Sequence, residues 1–216
     1  MSKDFSTLYH SGKAIFGEDP EPLLVNFVSQ IPTTAPALDL GCGQGRNSLY
    51  LAGKGLSVTA IDPYQIAVDQ TLANAKQLGV EISASVASIQ DYAPAVPAFG
   101  AVLAFGLIPI LTRDDIRLLT EKVMEWTQPG SLIFVTAFTS DDSSFVRYGE
   151  QGKQIGDLSF ELDDRKIRTF LAPGEILRLF DSVDIIHHWE GLGPWHQHGD
   201  TTPERHAWAQ LVAKQT

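Results

Sequence analysis

The chain is poor in cysteine, in positive charge and in long apolar runs, and each shortage excludes something. Its single cysteine, Cys42 among 216 residues, cannot form an internal disulfide, so no disulfide framework holds this fold. No stretch approaches the ~18 consecutive apolar residues of a membrane span. The start, Met-Ser-Lys-Asp-Phe, lacks the apolar centre of a secretory leader, and the expected location is cytoplasmic. Sixteen Lys and Arg stand against 26 Asp and Glu, a net charge of −10. Such a field repels phosphate backbones and no basic stripe offsets it, so neither nucleic acid nor membrane is expected as a partner. A small molecule is the better fit. Repeats and low-complexity tracts are also missing.

What is present begins at Ala37-Leu-Asp-Leu-Gly-Cys-Gly-Gln-Gly-Arg-Asn47, an apolar strand running into three glycines spaced one apart. Gly41, Gly43 and Gly45 carry no Cβ and give the chain φ freedom, so a nucleotide-like ligand can lie against the backbone where strand feeds helix. A dinucleotide fingerprint needs its third glycine at position 46, where this chain has the bulky Arg46, and the Gly-Lys-Ser/Thr ending of a phosphate loop is missing. NAD, FAD, ATP and GTP are therefore disfavoured. A second short strand, Val58 to Ile61, ends in Asp62, 21 residues after Gly41. An acid at that spacing accepts the hydroxyls of an adenosine ribose, although a strand-ending Asp followed by Pro63 also suits a helix cap.

The remaining pattern predicts alternating strands and helices. Asp19-Pro20 reads as the cap of a first helix whose Leu23, Leu24, Phe27, Val28 and Ile31 share a face covering the sheet edge. Helices follow over about 46–54 and 64–78, the latter closed by Gly79, with a third strand over 80–86 and a continuous apolar strand over 101–105. Thr112 caps a helix presenting Ile116, Leu119, Val123 and Met124, and Pro129-Gly130 turns into a fifth strand over 131–138. A short helix is expected over 173–180. Strands over 184–189 and 206–214 close the chain, joined by a loop rich in Gly, Pro and His. Alternation of this kind means an α/β, doubly wound, mostly parallel sheet. The chain reads as a single domain over 1–216, with an N-terminal lid and first helix in 1–33, an insertion at the active-site end in 139–170 and a hairpin in 184–214.

With the preceding Asp39, the glycine segment resembles the first motif of class I S-adenosylmethionine-dependent methyltransferases. The resemblance implies a Rossmann-like sheet with a C-terminal antiparallel hairpin, S-adenosylmethionine as cofactor and S-adenosylhomocysteine as product. It assigns Asp39, Gly41, Cys42, Gly43, Gly45, Arg46, Asp62 and Pro63 to the cofactor, together with Ala87, Ser88 and Ile89 beside adenine, and Ala104, Phe105 and Gly106 beside the methionine part. Two departures stand out. The acid common after strand three is Ser88, with Asp91 as a candidate substitute, and the Asp that often opens strand four is Gly100. Phe16-Gly17-Glu18, the Pro129-Gly130 turn and Thr169-Phe170-Leu171 leading to Glu175-Ile176-Leu177 narrow the resemblance to the tellurite-resistance and thiopurine methyltransferase-like branch. That branch implies a thiol, chalcogen oxyanion or metabolite hydroxyl as acceptor.

Five of the six histidines, His187, His188, His196, His198 and His206, lie within 20 residues. Consecutive strand residues face opposite ways, so His187 and His188 cannot both face one pocket. A metal at His196, His198 and Asp200 lacks a cysteine partner or a helical His-Glu-x-x-His arrangement, and no metal is expected. His196, His198, Arg205 and His206 are the acceptor-side candidates, against the alternative of a polar hairpin. Tyr9, His10 and Phe16 are candidates for an aromatic lid over the sulfonium, with Arg147 and Tyr148 as weaker ones. The chain is expected to act as a monomer or homodimer. Two other functions stay open: a non-catalytic S-adenosylmethionine-binding module and a nicotinamide oxidoreductase.

Overall fold

The structure is a computed structural model that describes Tyr9, residues 17–195 and residues 205–216. His10, Phe16, His196 and His198 lie outside the described residues. A seven-stranded sheet runs in the order β3-β2-β1-β4-β5-β10-β9. Its parallel strands are β1 (Ala37–Leu40), β2 (Val58–Asp62), β3 (Ser83–Val86), β4 (Phe99–Ala104) and β5 (Thr127–Phe138). Strands β9 (Asp184–Leu192) and β10 (Ala207–Lys214) form the antiparallel hairpin, and β10 inserts between β5 and β9. The expected doubly wound sheet with its closing hairpin is what the chain forms.

The pleat sorts the core into two layers, because alternate residues face opposite sides. Leu38, Val102, Ala104, Ile133 and Val135 join Ile116, Leu119, Val123 and Trp126 of helix α4 (Arg113–Trp126) on one side. Ala101, Leu103, Leu132 and Phe134 join Leu51 of α2 (Arg46–Gly53) and Leu23 and Leu24 of α1 (Pro22–Phe27) on the other. Helix α1 thus covers the middle of the sheet and reaches the edge where Phe27 meets His187 of β9 at 5.5 Å. Its cap is Glu21 with Pro22 in the first turn, not Asp19 with Pro20.

Two other differences have local causes. Helix α3 (Gln65–Leu78) ends at Gly79 with φ +69°, and the Val80 N–H bonds the Ala75 carbonyl in closing it. Val80 is therefore used by the helix end, and β3 starts only at Ser83. Pro129-Gly130 does not precede β5 but lies inside it, where the pairing slips between Phe99 and Ala101 and Gly130 adopts φ +92°.

Between β5 and β9 the polar stretch is ordered into elements the periodicity does not reveal. Helix α5 (Ser144–Gln151) leads to a separate antiparallel sheet of β6 (Lys153–Gly156), β7 (Ser159–Glu161) and β8 (Ile167–Thr169), and α6 (Glu175–Leu179) follows. Strands of three or four residues carry too little alternation to be read. A remote arginine ties them down: Arg113 of α4 donates to the Asp157 carbonyl at 2.5 Å, to the Phe170 carbonyl at 2.7 Å and to the Glu175 carboxylate at 2.5 Å.

Candidate functional site

The sheet order reverses between β1 and β4: β1 leads to β2 on one flank, and the chain crosses to β4 on the other. In doubly wound sheets the crevice at such a reversal, outside the carboxyl ends of the strands, is where ligands bind. The glycine turn leaves β1 at this place, and residues 104–106 leave β4 beside it.

Gly41, Gly43 and Gly45 have φ of +66°, +56° and +86°, a run of left-handed backbone that only glycine adopts without strain. Gly45 is also fixed by packing, since a Cβ there would sit 2.9 Å from the Thr71 side chain of α3. Thr71 Oγ1 donates to the Gly43 carbonyl at 2.9 Å and Asn74 Nδ2 to the Gln44 carbonyl at 3.1 Å, so α3 clamps the turn from behind. The close helix packing of a third glycine is thus achieved at 45. Arg46 opens α2 with its guanidinium turned to the Asp19 carbonyl at 3.1 Å and the Glu21 carboxylate at 3.0 Å. Its side chain pins the N-terminal segment rather than lining the turn.

Two buried carboxylates stand behind and beside the turn. Asp39 accepts from Ser48 Oγ at 2.6 Å, and burial pushes its carboxyl up from an ordinary 3.8 to about 6. Asp62 takes the Gly43 N–H at 3.0 Å on one oxygen and the Tyr64 N–H at 2.9 Å on the other, and burial likewise raises its pKa. Each oxygen retains a lone pair for a hydroxyl. Pro63 is exposed next to it. Burial holds the Cys42 thiol in its protonated form, and its Sγ lies 3.8 Å from Thr71 Oγ1, so it acts as a small filler.

On the β3 side, Ser88 gives its hydroxyl to Asp91 at 2.6 Å, so the two residues that the sequence offers for adenine are joined to each other. Ala87 is half-buried, and Ile89 is buried in the core cluster with Leu40, Ile61 and Leu107. On the β4 side, Ala104 is buried, Phe105 packs on Phe134 with ring centroids 6.1 Å apart, and the Gly106 N–H bonds Thr136 Oγ1 of β5 at 2.9 Å. Leu107, which sequence reasoning passed over, stands 3.4 Å from where a Gly41 Cβ would be.

Tyr9 closes over this turn. Its hydroxyl would lie 3.1 Å from a Cβ at Gly43, its ring is 6.2 Å from that of Tyr64, and Gln70 Nε2 holds its carbonyl at 2.8 Å. Burial first, and then the Asp62 charge, keeps its phenol protonated.

The acceptor-side candidates separate. His206 Nδ1 bonds Asp142 Oδ2 at 2.9 Å, and its ring stacks on Phe138 at 4.7 Å. Asp142 is 2% exposed and also accepts from the Ala207 N–H, the Ser144 N–H and the Ser144 hydroxyl. Burial raises its pKa, but the hydrogen bonds from His206 and Ser144 win and hold it at about 2. Arg205, one residue away, is exposed with its guanidinium 5.1 Å from the Trp195 ring. His187 packs on Phe27 and His188 Nε2 faces Glu190 at 3.2 Å, so they serve opposite faces of β9. Phe138, Asp142 and Arg168 were missed by the sequence reading, although the strand-end rule that picked residues after β1 to β4 would have found Phe138 at the end of β5. Among the described residues no group of three His, Cys, Asp or Glu is arranged to hold a metal. No helix of the described residues is long and apolar enough to cross a membrane.

The glycine turn and the acid at the end of β2 flank the reversal of a sheet whose fold matches structural neighbours that are class I methyltransferases. Residues 37–130 match the methyltransferase domain family. Over those residues the chain carries a methyltransferase domain, and it is similar to TehB proteins and to other S-adenosylmethionine-dependent methyltransferases. A TehB protein of Haemophilus influenzae, described as a probable S-adenosyl-L-methionine-dependent methyltransferase, is 26% identical over 186 residues, 86% of this chain and 59% of its own length. A ubiquinone biosynthesis O-methyltransferase of Rhizobium etli is 31% identical over 98 residues, 45% of this chain and 39% of its own. The chain spans about half the length of the curated relatives it matches, between 44% and 59% for the first four. The crystal structure of TehB from H. influenzae superposes with TM-score 0.69 at 19% identity, covering 91% of this chain and 62% of that one. A 1,6-didemethyltoxoflavin-N1-methyltransferase of Burkholderia thailandensis, solved with S-adenosylhomocysteine, superposes with TM-score 0.73 at 16% identity, covering 99% of this chain and 86% of that one.

Proposed function

We propose that this chain transfers a methyl group from S-adenosylmethionine to a small-molecule acceptor by in-line displacement. The observation that carries the reading is the left-handed glycine turn at the sheet reversal with the buried Asp62 beside it. The residues suit the cofactor: the backbone has no Cβ at Gly43 where a ligand would lie, Asp62 keeps acceptor capacity for ribose hydroxyls, and Asp39 supplies a carboxylate behind the turn. The cofactor supplies an electrophilic methyl sulfonium. Ala87, Ser88 and Ile89 would border the adenine, and Ala104, Phe105 and Gly106 the methionine part. Tyr9, with His10 and Phe16, would close over the sulfonium, whose positive charge suits an aromatic face.

Displacement at a methyl carbon needs little more than donor and nucleophile aligned about 3 Å apart. His206, whose Nδ1 lies 2.9 Å from Asp142 Oδ2, is the candidate to take a proton from the acceptor. Arg205, with His196 and His198, would serve the same mouth, and residues 139–170 would cover it. The acceptor classes are a thiol, a chalcogen oxyanion or a metabolite hydroxyl. A cytoplasmic monomer or homodimer acting as one domain, without nucleic acid, fits the acidic charge. Calorimetry with S-adenosylhomocysteine and NAD, followed by turnover of labelled S-adenosylmethionine against thiols, oxyanions and alcohols, tests the reading. S-adenosylhomocysteine binding with methyl transfer supports it, binding without transfer to any acceptor leaves a non-catalytic module, and NAD binding alone overturns it.

A further inference from the structure

Arg168 of β8 is an arginine with no polar side-chain partner among the described residues. Arg46, Arg113 and Arg117 are engaged with carboxylates or carbonyls, whereas the Nε–H of Arg168 is buried without a hydrogen bond and its guanidinium forms no ion pair among the described residues. It rests instead on aromatic surface, with Cζ 5.5 Å from the Phe138 ring and 5.2 Å from the Tyr148 ring. Ring faces orient a guanidinium while leaving its donor edge for something else. A buried donor without a partner is destabilising, and a bound acceptor atom would relieve it.

The place is informative. Phe138 lies two residues beyond Thr136 on β5, so both project from one face of the sheet about 7 Å apart along the strand. Thr136 holds the Gly106 N–H at the end of β4, and the rings of His206 and Phe170 also stack on Phe138, at 4.7 and 6.5 Å. The guanidinium thus packs on the same phenyl ring as the His206 imidazole, at the carboxyl end of β5. In a chain of net charge −10, an anion is drawn there only by a local cation.

We propose that Arg168 is the specificity-determining residue for the methyl acceptor, pairing its guanidinium edge with a carboxylate of that acceptor. The inference rests on the methyl-transfer reading. A carboxylate fits better than a point anion because the planar fork makes two parallel hydrogen bonds to it, and an aromatic floor accepts the flat body behind the carboxylate.

The test uses the full chain saturated with S-adenosylhomocysteine and titrated calorimetrically with phenylacetate and, separately, with its neutral counterpart phenylacetamide. Binding of S-adenosylhomocysteine is measured first, and its failure refutes the methyl-transfer reading before Arg168 is involved. Phenylacetate is expected to bind at least about tenfold more tightly than phenylacetamide, as for a charge-assisted pair. Arg168→Met is expected to erase that preference while S-adenosylhomocysteine affinity stays within twofold. Should Arg168→Met not fold, Arg168→Lys keeps the charge but not the fork and is expected to weaken phenylacetate severalfold. Equal binding of the two probes to the wild type, a preference that survives Arg168→Met, or unchanged phenylacetate affinity in Arg168→Lys overturns the proposal. Selenite in competition is the last arm: selenite binding at Arg168 with no phenylacetate binding would make the partner an inorganic oxyanion and reject the carboxylate.

Discussion

Replacing Asp39 with Asn should make the ligand-free protein more stable at neutral pH. Asp39 is 3% exposed, and its carboxyl is raised from 3.8 to about 6, first by burial and then, after the opposing pulls of Ser48 and Arg46, by the Asp62 charge. A carboxyl raised in the folded state leaves stability intact below the unfolded pKa, erodes it as pH rises towards the folded pKa, and holds the full penalty above that. A shift of roughly two units corresponds to about 3 kcal/mol. Asn removes this penalty but also the charge on the bond from Ser48, worth about 1 kcal/mol, leaving a net gain of about 2 kcal/mol. For a chain of this size that raises Tm by about 4–8 °C. Thermal melts at pH 7.5 and pH 4 check it: the variant should melt higher at pH 7.5 and level with the wild type at pH 4. The same linkage makes wild-type stability rise between pH 7 and pH 4, and this component should vanish in Asp39→Asn. Equal or lower Tm for the variant at pH 7.5 would refute the reasoning. A gain in stability accompanied by loss of S-adenosylhomocysteine affinity is expected if the acid serves the cofactor.

Asp62→Ala should weaken S-adenosylhomocysteine by about 1.5–3 kcal/mol in calorimetry and also lower Tm, because the Gly43 and Tyr64 N–H groups lose their acceptor. Gly43→Val forces a β-branched residue to φ +56° and a Cβ to 3.1 Å from the Tyr9 hydroxyl, so cofactor affinity should disappear from the same assay. Asp142 is depressed to about 2, so its contribution of about 2 kcal/mol is present above pH 4 and lost as pH falls towards 2; pH-jump melts of Asp142→Asn should lack that acid-limb loss. Arg113→Met removes the three bonds that tie α4 to residues 157, 170 and 175, and faster amide exchange confined to β6–β8 should report the loosened sheet. His206→Ala should depress kcat against any acceptor that the wild type methylates, with S-adenosylhomocysteine affinity unchanged.

Much of the cofactor half was written in local order. A strand, three glycines, a helix, a second strand and an acid at fixed spacing follow from backbone rules that act within about 30 residues, and β1 and β2 and the helices after them lie where periodicity and punctuation put them. Thr112 capping α4 and Gly79 closing α3 are equally local, each a side chain or backbone freedom acting on its own turn. What only the tertiary structure decided depends on residues far apart in the chain. Thr71 fixes why position 45 must be glycine, Arg46 turns to Glu21 instead of the turn it begins, and Arg113 organises strands too short to announce themselves. No local pattern marks Asp142 or Arg168; burial against β5 and β10 makes one the anchor of His206 and leaves the other with aromatic rings and an unmade hydrogen bond. Spacing rules reach as far as one supersecondary unit, whereas the partner of a buried charge is set by whichever strand the fold brings beside it.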